Sequence, residues 1–167
     1  MIALERAFSR ESYSNLTYVG VDTFKGLPES STIWQKGYFS DTTYDQCHSN
    51  SCRNMGPKAE IKLIQSNFVD LSNNITFNQL NNIRVFHFDA DLGNSTKEAL
   101  EIAESYLKKT KPNSALYFLF DDWGCHPEEV PDTFYEWLEN FNKSSTADFI
   151  KVASTNFTRY YRVDLMA

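Results

Sequence analysis

Glycine is scarce in this chain, which has six glycines among its 167 residues. No two glycines are separated by a single residue, so the sequence lacks a G-x-G turn. In such a turn, glycines let the backbone come close to a dinucleotide cofactor. Cysteine is also rare, because Cys47, Cys52 and Cys125 are the whole set of three. That number is odd and too small for the disulfide framework of a secreted domain, so we expect a reducing, cytoplasmic environment.

Long apolar runs and an excess of positive charge are both missing from the sequence. No stretch approaches the roughly 20 apolar residues of a membrane span, so we expect no membrane partner. The 16 Lys and Arg residues are outnumbered by 22 Asp and Glu residues, which gives a net charge of −6. Because binding to phosphates needs a basic surface, we expect no nucleic-acid partner. The acidic balance favours a protein that binds cations.

Apolar runs typical of buried strands alternate with helical patterns along the chain. This alternation predicts an α/β fold with a mostly parallel sheet, and the two closely spaced last strands predict an antiparallel hairpin. The helix predicted at 95–109 should be capped by Asn94, Ser95 or Thr96. The predicted strands are 16–21, 61–64, 82–88, 115–120, 149–153 and 159–165, and the predicted helices are 2–8, 95–109 and 131–141.

Residues 30–57 show little periodicity of either kind. A long stretch of this sort predicts an irregular surface segment that can act as a lid over a site. It contains Cys47, His48 and Cys52, which are residue types that bind zinc. The closely spaced cysteine pairs of a zinc site are missing, so the sequence does not predict a metal in this segment.

Carboxylates follow three of the predicted strands at the point where each strand ends. Asp22 ends the first strand, Asp89 and Asp91 follow the third, and Asp121 and Asp122 follow the fourth. The carboxyl ends of parallel strands meet at one edge of a sheet, where ligands bind. A single Asp in such a place often caps the next helix. Several together repel each other unless a cation neutralises them, and oxygen ligands favour Mg²⁺.

Several segments of the chain resemble the macrocin O-methyltransferase family. Its members are class I enzymes that use S-adenosylmethionine and Mg²⁺ to methylate hydroxyls of sugar-containing small molecules. The resemblance runs along the whole chain, and it implies a class I methyltransferase-like (Rossmann-like) fold and a sugar-containing substrate. It is compatible with an assembly of identical copies. The segments that carry it are VGVDTFKGLPE at 19–29, KGYF at 36–39, FDADL at 88–92, Ser95-Thr96, and LFDDW at 119–123.

The resemblance also implies a set of residues that bind the cofactor. Asp22 would hold the ribose of S-adenosylmethionine, with Thr23 beside it. Ser66, Asn67 and Phe68, after the next strand, would lie near the adenine. An Asp at the end of an early strand suits a ribose, because two hydroxyls can donate to one carboxylate.

The resemblance implies a metal site and a proton acceptor as well. Asp89, Asp121 and Asp122 would bind Mg²⁺, and Asp89 would also serve as the general base for the substrate hydroxyl. Residues 36–40 would belong to a lid over substrate and cofactor. His126, four residues after the acid pair, is a second candidate for acid–base catalysis by its position alone.

This chain differs from the family at its N-terminal end. The family's fold starts with a strand and a glycine-rich turn, and that strand lies between the strands that end here at Asp22 and Asp89. Residues 1–8 correspond to the helix after that turn, and Gly93 stands where the family has a tyrosine. We therefore expect residues 1–167 to form a single methyltransferase-like domain that is truncated at its N terminus and lacks the first strand.

Two other functions remain open from the sequence. The first is a degenerate methyltransferase-like domain with a structural or interaction role, which the missing glycine turn favours. The second is a metal-dependent glycosyltransferase, in which Asp89 and Asp91 would form an Asp-x-Asp motif for Mn²⁺ and a nucleotide sugar. Trp123 is a candidate to line the pocket and stack on a sugar in any of the enzymatic alternatives.

Overall fold

The chain divides into two compact units, residues 1–67 and 68–167. A computed structural model describes residues 16–55, 59–124, 129–145 and 147–166. The helix predicted at 2–8 and the candidate residue His126 lie outside the described residues. No helix in the described part of the chain is long and apolar enough to cross a membrane.

The described residues of the N-terminal unit, 16–55 and 59–67, form two strands and one helix. Strand β1 (Leu16–Asp22) pairs in parallel with β2 (Ala59–Gln65), so the register runs to Asp22 opposite Gln65. Both strands confirm the prediction. Helix α1 (Tyr44–Met55) was not predicted, and it occupies much of the segment 30–57 that was expected to be irregular.

The start of α1 is a capping box. The Thr43 hydroxyl accepts a hydrogen bond from the Gln46 backbone N–H at 3.3 Å, and the Gln46 side-chain carbonyl accepts one from the Thr43 N–H at 2.9 Å. These reciprocal bonds satisfy two donors that a helix start otherwise leaves unpaired. Asp45 in the first turn and Arg53 in the last turn oppose the helix dipole. Capping and charge therefore define this polar helix, and apolar periodicity does not reveal it.

The segment between β1 and α1 is held in place by backbone contacts. Leu27 N–H donates to the Tyr38 carbonyl and Gly37 N–H donates to the Leu27 carbonyl, both at 2.9 Å. Gly26 has φ +75°, and a Cβ on it would lie 2.4 Å from the Tyr38 carbonyl oxygen. Only glycine fits that position without strain. Residues 36–40, predicted as part of a lid, are thus tied to the segment that follows Asp22.

The C-terminal unit contains a four-stranded sheet in the order β3-β4-β6-β5. Strands β3 and β4 are parallel, whereas β4 with β6 and β5 with β6 are antiparallel. The predicted α/β class and the C-terminal hairpin are confirmed. The elements are α2 (Phe68–Leu71), α3 (Ile75–Asn78), β3 (Val85–Phe88), α4 (Gly93–Thr110), β4 (Leu116–Phe120), α5 (Val130–Ser144), β5 (Ala147–Ser154) and β6 (Arg159–Leu165).

Aromatic side chains form the core of this unit. Phe118 and Phe120 of β4 and Phe134 of α5 are almost fully buried. Phe120 packs on Phe134 with ring centroids 4.8 Å apart, within the range of favourable ring contacts. Leu100 and Leu107 present the apolar face of α4 to the same core. The core therefore fixes β4, and with it the residues that follow its carboxyl end.

The start of α4 differs from the prediction. Asn94, Ser95 and Thr96 lie within the helix, and Leu92 occupies the N-cap position without a side-chain capping bond. The Glu129 carboxylate instead accepts a hydrogen bond from the Gly93 N–H at 3.3 Å. The cap is thus supplied from a residue distant in sequence, next to α5, and it adds negative charge where the helix dipole favours it.

Glu104 joins α4 to α5 through a buried tryptophan. The Trp137 indole N–H donates to Glu104 Oε2 at 2.9 Å, and Lys108 Nζ lies 2.5 Å from Glu104 Oε1. We expect Glu104→Ala to lower the free energy of unfolding by about 1–2 kcal/mol, because the buried indole N–H loses its acceptor. Chemical denaturation measures this change. Glu104→Gln keeps an acceptor and should lose less than half as much.

Lys108→Ala is the matched control for the hydrogen bond between Trp137 and Glu104. It removes an exposed i,i+4 ion pair, for which we expect a change below about 0.5 kcal/mol. A loss in Lys108→Ala equal to that in Glu104→Ala would show that the ion pair, and not the indole hydrogen bond, connects the two helices.

Candidate active site

Four carboxylates gather at the carboxyl ends of β3 and β4. They are Asp89, Asp91, Asp121 and Asp122, called the acid cluster below. Phe88 and Phe120 are opposite each other in the parallel register, and the Asp121 N–H donates to the Phe88 carbonyl at 2.9 Å. The residues that follow the two strands therefore start at the same level, which brings these side chains to one edge of the sheet.

Burial and mutual repulsion raise the pKa values within the acid cluster. Burial is the main reason that the pKa of Asp91 rises to about 7, and the Asp122 and Asp89 charges raise it further. The pKa of Asp89 is also raised, first by removal of its carboxyl from water and then by Asp122 and Asp121, while His87 opposes the shift. Asp89 is exposed as a whole residue, whereas Asp91 is half-buried.

Asp122 interacts with both acids that follow β3. Its side chain shares hydrogen bonds with those of Asp89 and Asp91, and its charge raises the pKa of both. The backbone is left-handed at Asp91, with φ 59°, and at Asp122, with φ 55°. Asp tolerates this conformation better than most residues, and such backbone is common at functional sites. The left-handed residue after each strand thus belongs to the acid cluster.

His87 flanks the acid cluster from within β3. Its Nε2 lies 3.9 Å from Asp121 Oδ2, and its side chain is about a third exposed, at 34%. Its positive charge, when protonated, partly offsets the carboxylates.

The chemistry of the acid cluster suits a hard cation, although the described side chains do not form a complete metal site. All four donors are carboxylates, which Mg²⁺ prefers. Among the described residues, no group of three His, Cys, Asp or Glu side chains is arranged to hold a metal ion. The structure brings Asp89, Asp91, Asp121 and Asp122 to one edge of the sheet, and the role of Asp89, Asp121 and Asp122 as metal ligands stays a prediction. The site implied from sequence did not include Asp91 as a ligand, although its Asp-x-Asp spacing after β3 was the available signal.

The residues predicted to hold the cofactor ribose lie at the carboxyl ends of β1 and β2. Asp22 Oδ1 accepts a hydrogen bond from the Phe24 N–H at 2.5 Å, so this Asp stabilises the turn that follows it. The Ser66 N–H donates to the Asp22 carbonyl at 3.0 Å, and Gln65 Nε2 donates to the Thr23 carbonyl at 3.1 Å. Asp22, Thr23 and Ser66 therefore lie together.

The two remaining residues predicted near the adenine follow Ser66 directly. The Ser66 hydroxyl donates to the Asn67 carbonyl at 2.8 Å, which fixes the chain at the end of the N-terminal unit. Phe68 is the first residue of α2 in the C-terminal unit. The adenine role of both residues stays a prediction.

Trp123 belongs to the core and not to a pocket wall. It is 6% exposed, and its ring packs on Phe120 and Phe134. The Arg159 guanidinium lies 5.5 Å from its ring centroid. The prediction that Trp123 stacks on a sugar is therefore wrong, because both the aromatic core and a cation cover the ring. Its backbone N–H donates to the Phe157 carbonyl at 2.8 Å, which ties the loop after β4 to the β5–β6 turn.

Asp91→Asn should stabilise the protein in a pH-dependent way. The folded chain holds a proton on Asp91 up to about pH 7, whereas the unfolded chain releases it near 3.8. The folding free energy of the parent chain therefore weakens as pH rises between these values. Asparagine stays neutral and tolerates the left-handed backbone. We expect a gain of about 1–2 kcal/mol at pH 8, reduced for solvent screening, and almost none at pH 4.

Denaturant unfolding at both pH values measures the effect of Asp91→Asn. Asp148→Asn, at an exposed position of β5, controls for the loss of one negative charge. An equal change at pH 4 and pH 8 for Asp91→Asn would contradict the argument, because a pH-independent gain cannot come from titration of this carboxyl.

No family model matches the sequence, and no curated protein matches it. Among solved structures, the chain is similar to the apo form of CalS11, a TDP-rhamnose 3'-O-methyltransferase described as an enzyme in calicheamicin biosynthesis. The similarity covers 96% of this chain and 78% of that chain, with 15% sequence identity and a TM-score of 0.48. At this identity and TM-score, the function of this chain has to be inferred from its own residues.

Proposed function

We propose that this chain is an S-adenosylmethionine-dependent O-methyltransferase that acts, with Mg²⁺, on a hydroxyl of a sugar-containing small molecule. The observation that carries the proposal is the acid cluster, in which burial and repulsion hold the pKa of Asp91 at about 7. Charge of one sign concentrated at the carboxyl ends of parallel strands is relieved by a divalent cation. The motifs at 22–29, 88–92 and 119–123 add the resemblance to sugar O-methyltransferases.

In this proposal the acid cluster holds the cation and receives the substrate proton. Asp89, Asp121 and Asp122 would be the ligands, with Asp91 as a further carboxylate beside them. When bound, Mg²⁺ favours the alkoxide form of a coordinated hydroxyl. Asp89 is exposed and can reach a substrate hydroxyl from the edge of the acid cluster. Its raised pKa makes it a stronger proton acceptor than an ordinary aspartate.

The carboxyl ends of β1 and β2 would bind the cofactor. Asp22 uses Oδ1 for the Phe24 N–H, and a carboxylate has a second oxygen that can accept bonds from ribose hydroxyls. The hydrogen bonds made by Gln65 and Ser66 hold the chain on both sides of this carboxylate. A site fixed in this way needs little ordering when it binds a ligand.

Calorimetric titration tests the two halves of the proposal separately. S-adenosylmethionine and S-adenosylhomocysteine are titrated into the chain with and without Mg²⁺, and Mg²⁺ is titrated alone. We expect Asp22→Asn to weaken cofactor binding at least tenfold and to leave Mg²⁺ binding unchanged. Asp122→Asn should weaken Mg²⁺ binding at least tenfold and leave cofactor binding unchanged. Asp148→Asn, which changes the net charge equally, should leave both affinities unchanged.

The outcomes separate this function from its alternatives. Binding of Mg²⁺ without either cofactor would overturn the methyltransferase and favour a degenerate domain with a structural or interaction role. Because Asp91 joins Asp89 in the acid cluster, a metal-dependent glycosyltransferase is the second candidate. Binding of UDP-glucose with Mn²⁺, in place of S-adenosylmethionine, would favour it. If no ligand binds to the folded chain, all the enzymatic functions are contradicted.

A further inference from the structure

A histidine and a cysteine of α1, neither of them assigned to cofactor, cation or substrate, meet on the surface of that helix. Cys52 Sγ lies 3.8 Å from both ring nitrogens of His48. The two residues are four apart in the helix, so their side chains share one face. Cys52 is exposed and His48 is partly buried. The contact brings a thiol and an imidazole, two of the preferred ligands of zinc, to the same place.

The distance between them is close to the spacing that a metal ion requires. Tetrahedral Zn²⁺ binds a thiolate at about 2.3 Å and an imidazole nitrogen at about 2.0–2.1 Å, so sulfur and nitrogen lie about 3.5 Å apart. The observed 3.8 Å differs from this value by a few tenths of an ångström. A small rotation of the imidazole about its last side-chain bond is enough to direct one nitrogen to a shared ion, and the helix backbone does not have to move.

Neighbouring aromatic residues hold the imidazole in position. The Tyr44 ring lies parallel to the His48 ring, with an interplanar angle of 4° and centroids 6.3 Å apart. Tyr44 itself is fixed because its hydroxyl donates to the Leu63 carbonyl at 3.4 Å and its ring meets the edge of Phe24 at 5.5 Å. Residues that orient a ligating histidine raise metal affinity. Tyr44, His48 and Cys52 thus follow each other on one face of α1.

We propose that His48 and Cys52 form a two-residue binding site for Zn²⁺. On binding, the Cys52 thiol loses its proton to solvent and the thiolate donates an electron pair to the ion, as a neutral nitrogen of His48 does. Solvent reaches the exposed Cys52 side and can complete the tetrahedron with water. The proposal does not depend on the methyltransferase, because it uses none of the residues assigned to cofactor, cation or substrate.

Cobalt titration of the reduced chain tests this site with a matched control. Co²⁺ is a spectroscopic substitute for Zn²⁺ and gives a sulfur-to-metal charge-transfer absorption only when a thiolate binds it. The titration is run with excess Mg²⁺ to occupy the acid cluster, and Zn²⁺ is then added to displace the Co²⁺. We expect one Co²⁺ with thiolate absorption per chain, and we expect Cys52→Ser to abolish that absorption.

The other helix cysteine provides the control. Cys47 is five residues from Cys52, which places it about 140° away around the helix. The Cys47→Ser variant should therefore bind Co²⁺ with the same affinity and the same thiolate absorption as the parent chain. His48→Ala should weaken Co²⁺ binding at least tenfold, and Tyr44→Ala should weaken it by a smaller factor without removing the absorption. Circular dichroism checks that α1 persists in each variant.

Three results would overturn the zinc site. The first is the absence of thiolate absorption in the parent chain at millimolar Co²⁺. The second is a loss in Cys47→Ser equal to that in Cys52→Ser, which would place the ligands elsewhere. The third is retention of the absorption in Cys52→Ser, which would assign it to another cysteine.

Discussion

Asp122→Asn is expected to lower the affinity of the chain for Mg²⁺ by at least about 100-fold. Asp122 interacts with both Asp89 and Asp91 and raises the pKa of each. A unit charge about 4 Å from another contributes about 4 kcal/mol at a protein surface, and more with a divalent partner. A 100-fold change in affinity corresponds to about 2.8 kcal/mol, so the loss of about two thirds of that term is enough to produce it. Calorimetry with Mg²⁺, or with Mn²⁺ as a paramagnetic probe, measures the difference.

A second readout of the same variant does not require a metal. Because Asp122 raises the pKa of Asp91, its neutralisation should move the pKa of Asp91 from about 7 toward the ordinary 3.8. Carboxyl NMR titration reports that shift directly. If Asp122→Asn binds Mg²⁺ as tightly as the parent chain and leaves the Asp91 titration unchanged, then Asp122 neither binds the cation nor interacts with Asp91. The charge control is again Asp148→Asn.

The strands were predictable because their signal is local. The apolar runs that form β1, β3 and β4 each end in an acid, and the parallel arrangement of β3 with β4 then brings Asp89 and Asp121 together. Helix α1 was missed because apolar periodicity was the signal used, whereas this helix is polar and begins with the reciprocal capping of Thr43 and Gln46. The Thr-x-x-Gln spacing at 43–46 was the signal that could have found it.

Other features depend on residues that are distant in sequence. The cap of α4 comes from Glu129, so no pattern within residues 92–96 could have indicated it. Burial of Trp123 depends on its contacts with Arg159 and with the β5–β6 turn, and the sequence alone does not show that these residues lie next to Trp123. Likewise, the Cys-x-x-x-x-Cys spacing argued against zinc, whereas the relevant pair, His48 and Cys52, is set by helix periodicity once α1 is known. Local propensity therefore predicts elements better than it predicts contacts between them.

Gly124→Ala should be the most destabilising of the substitutions considered, by about 3 kcal/mol, at the upper end of what overpacking costs. A Cβ on Gly124 would lie 1.9 Å from the Asn156 carbonyl oxygen and 3.0 Å from its carbonyl carbon. Both atoms are backbone, so no side-chain rotation can relieve the overlap. The loop after β4 and the β5–β6 turn must separate, and the hydrogen bond from the Trp123 N–H to the Phe157 carbonyl is then lost.

The β5–β6 turn cannot easily move away from that methyl group. The Thr155 hydroxyl accepts hydrogen bonds from the N–H groups of Phe157 and Thr158, at 3.2 and 3.0 Å. The Arg159 guanidinium also donates to the Thr155 carbonyl. The added methyl group therefore displaces the backbone that follows Asp122 as well as the turn. Gly124→Ala should therefore weaken Mg²⁺ binding as well as stability, although residue 124 carries no ligand.

Gly93→Ala is the matched control, because it adds the same methyl group on the other side of the acid cluster. The nearest atom to its Cβ would be the Thr133 hydroxyl, at 3.1 Å, and that side chain can rotate. Residue 93 begins α4, where alanine is a better helix former than glycine by up to about 1 kcal/mol. Its unfolding free energy should stay within about 1 kcal/mol of the parent value. If Gly124→Ala unfolds at the same denaturant concentration as Gly93→Ala, then the loop after β4 is not held by the β5–β6 turn. Asp121 and Asp122 must then be positioned by β4 alone.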